Sequence, residues 1–232
     1  FNMEVGDGDR KQLMSGTIDR VDICENGTDV YVRIIDYKTG KKDFNIVKTY
    51  YGIDIQLMVY MEAAMKLVAK MRPGKNVIPA GVFYYNISDP IVSATTESAE
   101  EIEDKIKGEL RLKGMVNSDK EIAEKMDNTE GTSLNIPVSR KADGGFDSRR
   151  SKVMNTEQFN MLGRFVDVRA VDTADRIAGG DIRRSPYKDG QFSSCDRCPY
   201  GAVCGFSVDL PGCNYRKLKK FDDEVLWNNI CL

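Results

Sequence analysis

The chain of 232 residues carries a formal net charge of −2, with 41% hydrophobic and 30% charged residues. This composition is that of an ordinary globular protein with one substantial core, and no apolar run approaches the ~20 residues that a membrane-spanning helix needs. Histidine is absent, which excludes a Ser/His/Asp triad, a Cys/His pair and an HExxH zinc site within this chain, so carboxylates, lysines and cysteines must carry its chemistry.

The sequence opens with Phe1-Asn2-Met3, and no basic segment followed by an apolar segment marks a secretory signal. We interpret the chain as a piece of a longer polypeptide. On that interpretation, its upstream neighbours are missing.

Residues 16–38 are predicted to form a β-hairpin, because β-branched and aromatic residues flank Asn26-Gly27, a strong turn signal. With these two residues at the centre of the turn, Asp19 faces Ile34 across the hairpin. The alternation of side chains then puts Asp36 and Lys38 on the same face as Asp19, with the two aspartates diagonal to each other and roughly 7–8 Å apart.

Two carboxylates that end an apolar face need a compensating charge, which a divalent cation supplies. Oxygen ligands of this kind suit magnesium or manganese, which activate water and polarise a phosphoryl group. Lys38, which projects the same way as Asp36, would orient the attacking water or offset charge in the transition state. The alternative is a strand end at which Lys38 simply pairs with Asp36 at the surface.

A helix is predicted over Tyr51–Lys70, ended by Pro73-Gly74, and it places Gln56 and Tyr60 on one side. Residues 77–88 are predicted to form a further strand. The pattern next predicts a helix over Glu97–Lys113 with Ile102, Ile106 and Leu110 inward, and a short hairpin around Asp143-Gly144-Gly145. A long helix follows, capped by Thr156 and running to Gly179-Gly180.

Charge is unevenly distributed along the chain. Residues 89–130 hold twelve acidic and six basic side chains, whereas residues 131–220 hold sixteen basic and ten acidic ones. A basic half is able to follow a phosphate backbone, and residues 140–188 are its predicted track. The alternative is that two solvated faces differ by accident.

Cysteines cluster near the C-terminus as Cys195, Cys198 and Cys204, a C-x2-C pair followed by a third thiol. Three thiolates in a short loop suggest a metal or a cluster, for which four ligands are usual. Disulfides are the alternative, but nothing marks the chain as secreted.

Three segments together resemble the successive motifs of RecB-type nucleases of the PD-(D/E)xK superfamily. They are Gly16-Thr17-Ile18-Asp19-Arg20, Ile35-Asp36-Tyr37-Lys38-Thr39-Gly40 and Gln56-Leu57-Met58-Val59-Tyr60. Their order and spacing make the resemblance specific, and it covers almost the whole chain.

The resemblance implies a role for each matched residue. Asp19, Asp36 and the backbone carbonyl of Tyr37 would bind magnesium, and Lys38 would assist the attacking water. Gln56 and Tyr60 would shape the site and engage DNA. The family also has an upstream metal ligand that is not contained in this sequence.

The cysteine loop resembles that of family members that hold a structural 4Fe–4S cluster, whose fourth cysteine lies upstream of the nuclease motifs. Two groups share this combination: CRISPR-associated RecB-like exonucleases and the C-terminal nuclease domain of the B subunit of AddAB-type helicase-nucleases. Three further segments look like the B subunit, namely Ile136–Gly144, Gly180–Lys188 and Tyr215–Leu218. In this chain the cluster is expected to be incomplete or absent.

The expected fold is α/β (α+β), a restriction-endonuclease-like mixed sheet flanked by helices. Residues 1–190 would form the nuclease core with an insertion at about 89–150, and residues 191–232 the cysteine-cluster loop and tail. The resemblance implies a bacterial cytoplasmic exonuclease that acts on single-stranded DNA from unwound duplex ends and trims the five-prime-ended strand. It also implies a role in recombinational repair and an A-subunit partner. Rival hypotheses are a catalytically silent DNA-gripping domain of the same fold and a zinc-stabilised binding module.

Overall fold

A five-stranded mixed sheet organises the computed structural model, which describes residues 1–5, 11–87, 89–92 and 98–231. The strands are β1 (Asn2–Val5), β2 (Gln12–Ser15), β3 (Arg20–Asn26), β4 (Asp29–Lys38), β5 (Asn76–Asn86), β6 (Lys113–Asn117), β7 (Val153–Met154), β8 (Tyr187–Asp189), β9 (Phe192–Ser193) and β10 (Arg216–Lys217). The helices are α1 (Ile46–Tyr50), α2 (Gln56–Met71), α3 (Ala99–Leu110), α4 (Lys120–Met126), α5 (Thr156–Ala178), α6 (Gly201–Cys204) and α7 (Asp223–Ile230). None of the helices in the described ranges combines the length and the apolar character needed to cross a bilayer.

The central sheet has the order β3-β4-β5-β6-β7. The β3/β4 and β5/β6 pairs are antiparallel, whereas the β4/β5 and β6/β7 pairs are parallel. Helices α2, α5 and α7 bury one face of the sheet, and α4 with the irregular segment that follows it covers the other. The predicted α/β class with a mixed sheet between helices is therefore confirmed.

The main core lies between the sheet and helices α2 and α5. Val30, Val32 and Ile34 of β4 point into it, because alternate residues of a strand share a face. Leu226 and Ile230 of α7 are buried in the same core. The tail that follows the cysteine loop thus ends in a helix that belongs to the main core.

The hairpin of β3 and β4 forms where predicted, but its register differs. Arg20 pairs with Ile35, and the turn is centred on Gly27-Thr28 rather than on Asn26-Gly27. Gly27 adopts a φ of 60°, and no non-glycine residue in the described ranges, Thr28 included, has a positive φ. This fits a type II′ turn, in which only the first central residue needs a positive φ. The register moves by two residues, so every side chain keeps its predicted face.

Several predicted boundaries were wrong by a few residues. Helix α2 begins at Gln56 rather than Tyr51, because the chain first turns through Gly52, whose φ is 73°. The cap of α5 is Asn155 rather than Thr156, and its side chain accepts from the backbone N–H of Gln158 in a capping box. Ile102, Ile106 and Leu110 are half-buried on α3, which has no fully buried residue. The turn predicted at Asp143-Gly144-Gly145 is present, closed by a single bridge between Arg140 and Phe146.

Gly114 of β6 lies where the sheet leaves no room for a side chain. A Cβ built there would lie 1.9 Å from the backbone oxygen of Val82. We therefore expect Gly114→Ala to lower the free energy of unfolding by roughly 2–4 kcal/mol, since backbone must move to accept the methyl group. Urea unfolding measures the change in the free energy of unfolding, with Gly108→Ala as the control. Gly108 lies in α3 with open space around it, so that change should stabilise, and equal midpoints for the two variants would contradict this packing.

Asp127 organises the segment after α4. Its carboxylate accepts hydrogen bonds from the backbone N–H of Thr129, the hydroxyl of Ser133 and the side-chain amide of Asn135. Burial by itself would raise the pKa of the Asp127 carboxyl, but these hydrogen bonds outweigh it and lower the pKa to about 2.

The lowered pKa gives a pH-dependent stability. Because the folded pKa lies below the unfolded value of 3.8, the contribution is present above about pH 4 and is lost as the pH falls towards 2. We expect Asp127→Asn to be less stable than the parent at pH 6, by about 1–3 kcal/mol, with the difference shrinking in acid. Urea unfolding across this pH range measures it, and a difference that stays constant down to pH 2 would rule out this role.

Candidate active site

Strand β4 ends in the carboxylate and ammonium that the sequence singled out. Asp36 is 2% exposed and lies on the core face of the strand, two residues beyond buried Ile34. Lys38, on the same face, brings its Nζ to 2.6 Å from Oδ2 of Asp36. This pair is therefore not a surface ion pair, because its acidic partner is buried beneath helix α2.

Helix α2 supplies the next two side chains. The Lys38 ammonium donates to Oε1 of Gln56 at 3.0 Å, and the Gln56 amide donates to the Tyr60 hydroxyl at 2.8 Å. Gln56 and Tyr60 are one helical turn apart, so both face the end of β4. The structure thus joins Asp36, Lys38, Gln56 and Tyr60 in one continuous polar chain.

Asp19 lies in the bend immediately before β3 and is exposed. Its Oδ2 accepts a hydrogen bond of 2.8 Å from the backbone N–H of Tyr37. Continuing the β3/β4 register by one residue beyond the Arg20/Ile35 pair places Asp19 opposite Asp36 rather than opposite Ile34. Ile34 pairs with Val21 instead, so the predicted facing of Asp19 and Ile34 is wrong.

Tyr60 is also packed from the N-terminal side of the chain. The ring of Phe1 meets the Tyr60 ring edge-on, with centroids 5.8 Å apart. Gly16 makes this approach possible, because a Cβ at that position would lie 2.8 Å from the Phe1 ring. Gly16 belongs to the first of the three motifs. Its lack of a side chain leaves room for the rings of Phe1 and Tyr60 to meet beside the site.

A second polar cluster borders the site and was not predicted. Tyr84 of β5 pairs with Asp36 across the parallel strands, and its hydroxyl donates to Oδ1 of buried Asp54 at 2.9 Å. Lys42 reaches Oδ2 of Asp54 at 3.1 Å. Burial and the neighbouring carboxylates of Asp54 and Asp36 raise the pKa of Tyr84 far above its ordinary value, so it stays a neutral donor.

Lys38 and Lys42 both lie against the same aromatic ring. Their ammonium nitrogens are 5.7 Å and 5.6 Å from the centroid of Tyr84, within the range of cation–π attraction. Strand alternation gives the face on which Tyr84 lies, but the pairing of β5 with β4 is what brings it beside Asp36. Asp54 was not recognised as a site residue, because it lay within the helix predicted over Tyr51–Lys70.

The comparison with known families decides what kind of site this is. A model described as the PD-(D/E)XK nuclease superfamily matches residues 1–205. The chain belongs to this superfamily. The polar chain from Asp36 to Tyr60 is the candidate active site of this superfamily member.

Curated relatives point to a narrower group. Three proteins, each named as the B subunit of an ATP-dependent helicase/deoxyribonuclease, are similar to this member of the superfamily. They are from a Thermoanaerobacter species (38% identity, covering 92% of this chain and 18% of the relative), Lachnoclostridium phytofermentans (37%, 96% and 20%) and Clostridium botulinum (37%, 98% and 20%). The chain thus spans about a fifth of the length of each.

The donor set fits a divalent cation of the kind that superfamily members generally use. Oδ2 of Asp36 is buried and has one charged neighbour, the Lys38 ammonium at 2.6 Å, without a hydrogen bond that meets geometric criteria. An ionised carboxylate has several lone pairs, so Asp36 is able to take a cation as a further partner. The described residues contain no group of three or more acidic or cysteine side chains arranged for a metal. Two carboxylates are nonetheless enough for magnesium, which keeps several waters and takes substrate oxygens as further ligands.

The three clustered cysteines do not form a ligand set. Cys195 follows β9, Cys198 is exposed, and Cys204 ends α6. All are free thiols, so the disulfide alternative finds no support here, and the described ranges hold no metal-binding group of three. Three thiols are one fewer than the four that an iron–sulfur cluster usually takes, so these donors do not by themselves complete such a site.

Proposed function

We propose that this chain is a magnesium-dependent deoxyribonuclease domain, an exonuclease that acts on single-stranded DNA within a helicase-nuclease. The observation that carries the proposal is the buried Oδ2 of Asp36, which lacks a hydrogen bond and lies 2.6 Å from the Lys38 ammonium. Manganese has the same ligand preference and should replace magnesium. The relatives' name favours a helicase-nuclease over a CRISPR-associated exonuclease.

In the proposed site, Asp36, Asp19 and the backbone carbonyl of Tyr37 hold the cation. When bound, that cation would polarise the scissile phosphate and acidify a water molecule. Asp19 has one oxygen committed to the Tyr37 backbone N–H, which fixes its carboxylate beside Asp36. Its other oxygen is then available as a ligand.

Lys38 is proposed to act at the phosphate. Its ammonium would offset the charge that develops as the water oxygen bonds to phosphorus and the bond to the leaving sugar oxygen breaks. The leaving oxygen takes a proton that ultimately derives from the water. Gln56 accepts from the Lys38 ammonium and Tyr60 accepts from Gln56, so these two side chains hold Lys38 in place and act as positioning residues.

The wider role follows the relatives' name. We infer that the whole protein, in the bacterial cytoplasm, resects double-strand DNA ends for recombinational repair beside an A-subunit partner, with this domain trimming the five-prime-ended strand. The domain is proposed to comprise residues 1–190, followed by the cysteine loop and tail over residues 191–232.

Digestion of single-stranded DNA labelled at either end tests the activity. We expect shortening that requires magnesium or manganese and stops with a chelator, and progressive loss from the five-prime end. Tight DNA binding without any cutting in either metal would instead favour the catalytically silent alternative. The intact charges of Asp36 and Lys38 speak against that alternative.

For the cysteine loop we propose a structural role in which Cys195, Cys198 and Cys204 share a 4Fe–4S cluster with a fourth cysteine from outside this sequence. Their C-x2-C spacing and position after the nuclease motifs support it. Iron and sulfide analysis of the longer protein, purified without oxygen, tests the idea. Stoichiometric zinc without iron would overturn it and favour a zinc-stabilised loop.

A further inference from the structure

Two clefts near the ends of β4 and β5 share one arginine. The first has a volume of about 620 Å³ and the second of about 350 Å³. Arg111, just after helix α3, lines both of them. The two clefts are therefore adjacent, and we refer to them together as the channel.

Basic side chains dominate the lining of the channel, with eight Lys or Arg and two acidic residues. Five of the eight are paired with carboxylates, namely Arg20, Arg33, Lys42, Lys107 and Lys152. The charge that no described carboxylate offsets is therefore that of Lys41, Arg111 and Lys113. Lys41 and Lys113 form no ion pair with any residue in the described ranges, although both line the second cleft. Such a concentration of positive charge favours a polyanion.

Arg111 also has an unmet bonding need. Its Nε is buried and finds no hydrogen-bond acceptor among the described residues. One other nitrogen of the same guanidinium donates to the backbone oxygen of Ser133 at 3.2 Å. No carboxylate in the described ranges pairs with Arg111, so the part of its guanidinium that lines the clefts is able to bind a phosphate oxygen.

Aromatic side chains line the first cleft. Tyr37 and Tyr85 meet edge-on, with ring centroids 5.8 Å apart, and both line the cleft. Tyr37 is 39% exposed. An accessible ring beside basic side chains is the combination that binds unpaired bases, because each base has a face that is able to stack.

The channel passes the end of the strands that carry the candidate active site. Tyr37 follows Asp36 directly, and strand alternation points its side chain to the opposite face of the sheet. Lys42 lines the second cleft, and its ammonium also pairs with Asp54, which is bonded to Tyr84 beside Asp36. A DNA strand bound in the channel therefore passes the C-terminal end of β4, where Asp36 and Lys38 lie.

We propose that this channel binds single-stranded DNA and leads it to the candidate active site. Tyr37 and Tyr85 stack a base, and Lys41, Arg111 and Lys113 bind successive phosphates. The proposal rests on the nuclease function proposed above, which supplies the kind of substrate. It adds a binding surface that lies outside the metal and lysine centre.

The test measures binding without cutting. Fluorescence anisotropy of a labelled oligothymidine is followed in chelator as a function of salt, for the parent and for Lys41→Gln/Lys113→Gln. We expect affinity to fall at least about tenfold, and the slope of log K against log salt to shrink by about 1.4, since each phosphate contact on single strands contributes about 0.7. The matched control is Lys70→Gln/Lys75→Gln, which removes the same charge outside both clefts and should leave the slope unchanged.

The stacking part has its own pair of variants. Tyr85→Ala is expected to weaken binding about tenfold, while Tyr85→Phe keeps the ring and should stay within about twofold of the parent. An unchanged salt slope in Lys41→Gln/Lys113→Gln, or tighter binding of duplex than of single strands by the parent, overturns the channel. Magnesium-dependent cutting by the parent is measured separately. If the parent cuts DNA but the salt slope of Lys41→Gln/Lys113→Gln is unchanged, only the channel is rejected. If that slope changes as expected but the parent does not cut DNA, only the nuclease proposal is rejected.

Discussion

Asp36→Asn is expected to reduce magnesium-dependent cutting of single-stranded DNA by roughly a thousandfold or more, because it removes the buried anionic ligand of the proposed cation. The substitution keeps the shape of the side chain while removing its charge. Asp36 is buried and one of its oxygens lacks a hydrogen bond. Folding of the metal-free protein should change little, because a buried charge is taken away while its partner Lys38, whose side chain is 29% exposed, stays hydrated.

A second readout separates metal binding from activity. Magnesium should raise the thermal midpoint of the parent, as any ligand that binds only the folded state does, by about 2.7 kcal/mol at a hundred times its dissociation constant. We expect this stabilisation to vanish in Asp36→Asn. The control is Asp29→Asn at the other end of the same strand, about 23 Å away at ~3.3 Å per residue. If Asp36→Asn cut as fast as Asp29→Asn, the site assignment would be wrong.

Lys38→Gln is expected to slow cutting by roughly 10²–10³-fold without loss of magnesium binding. The reason for the slower rate is the missing ammonium at the phosphate. Metal affinity should rise or stay level, because the Lys38 ammonium, 2.6 Å from Oδ2 of Asp36, competes with the cation for that oxygen. A slower cutting rate together with an unchanged or higher magnesium affinity would identify Lys38 as a residue that acts on the substrate.

Single-turnover cutting and the magnesium-induced thermal shift measure the two quantities for Lys38→Gln. Lys75→Gln is the matched control, since Lys75 bonds to the Gly27 backbone at the far end of the sheet. Lys38→Arg should recover only part of the rate, because a guanidinium does not reproduce a compact ammonium. Loss of the magnesium shift in Lys38→Gln would mean that the lysine serves the metal site and not the phosphate.

Local sequence patterns were sufficient for the parts of the fold governed by near neighbours. Alternating residues in β4 fixed the shared face of Asp36 and Lys38, and the four-residue spacing fixed that of Gln56 and Tyr60. The hairpin register was missed because Gly27 is able to take either central position of a two-residue turn, the second after Asn26 in a type I′ turn or the first before Thr28 in a type II′ turn. The packing of the adjoining strands, and not the dipeptide, selects between them.

The charge pattern along the chain and the folded surface suggest different tracks for DNA. The basic half suggested residues 140–188, yet of the basic side chains that line the proposed channel only Lys152 comes from that segment. The other basic side chains come from β3, β4, the loop after it, α3, the residue that follows α3 and the start of β6. Charges far apart in sequence converge there because the sheet brings the ends of its strands together.

Short-range periodicity and motif spacing were enough to predict the superfamily, the mixed α/β sheet, and the acidic, basic and amide side chains that end β4 and begin α2. The folded structure was needed to show that Asp19 bonds to the Tyr37 backbone, that Tyr84 and Asp54 lie beside Asp36, and that Arg111 lines two clefts. Those relations arise between segments up to about a hundred residues apart, where burial and strand pairing, and not local preference, choose which side chains meet.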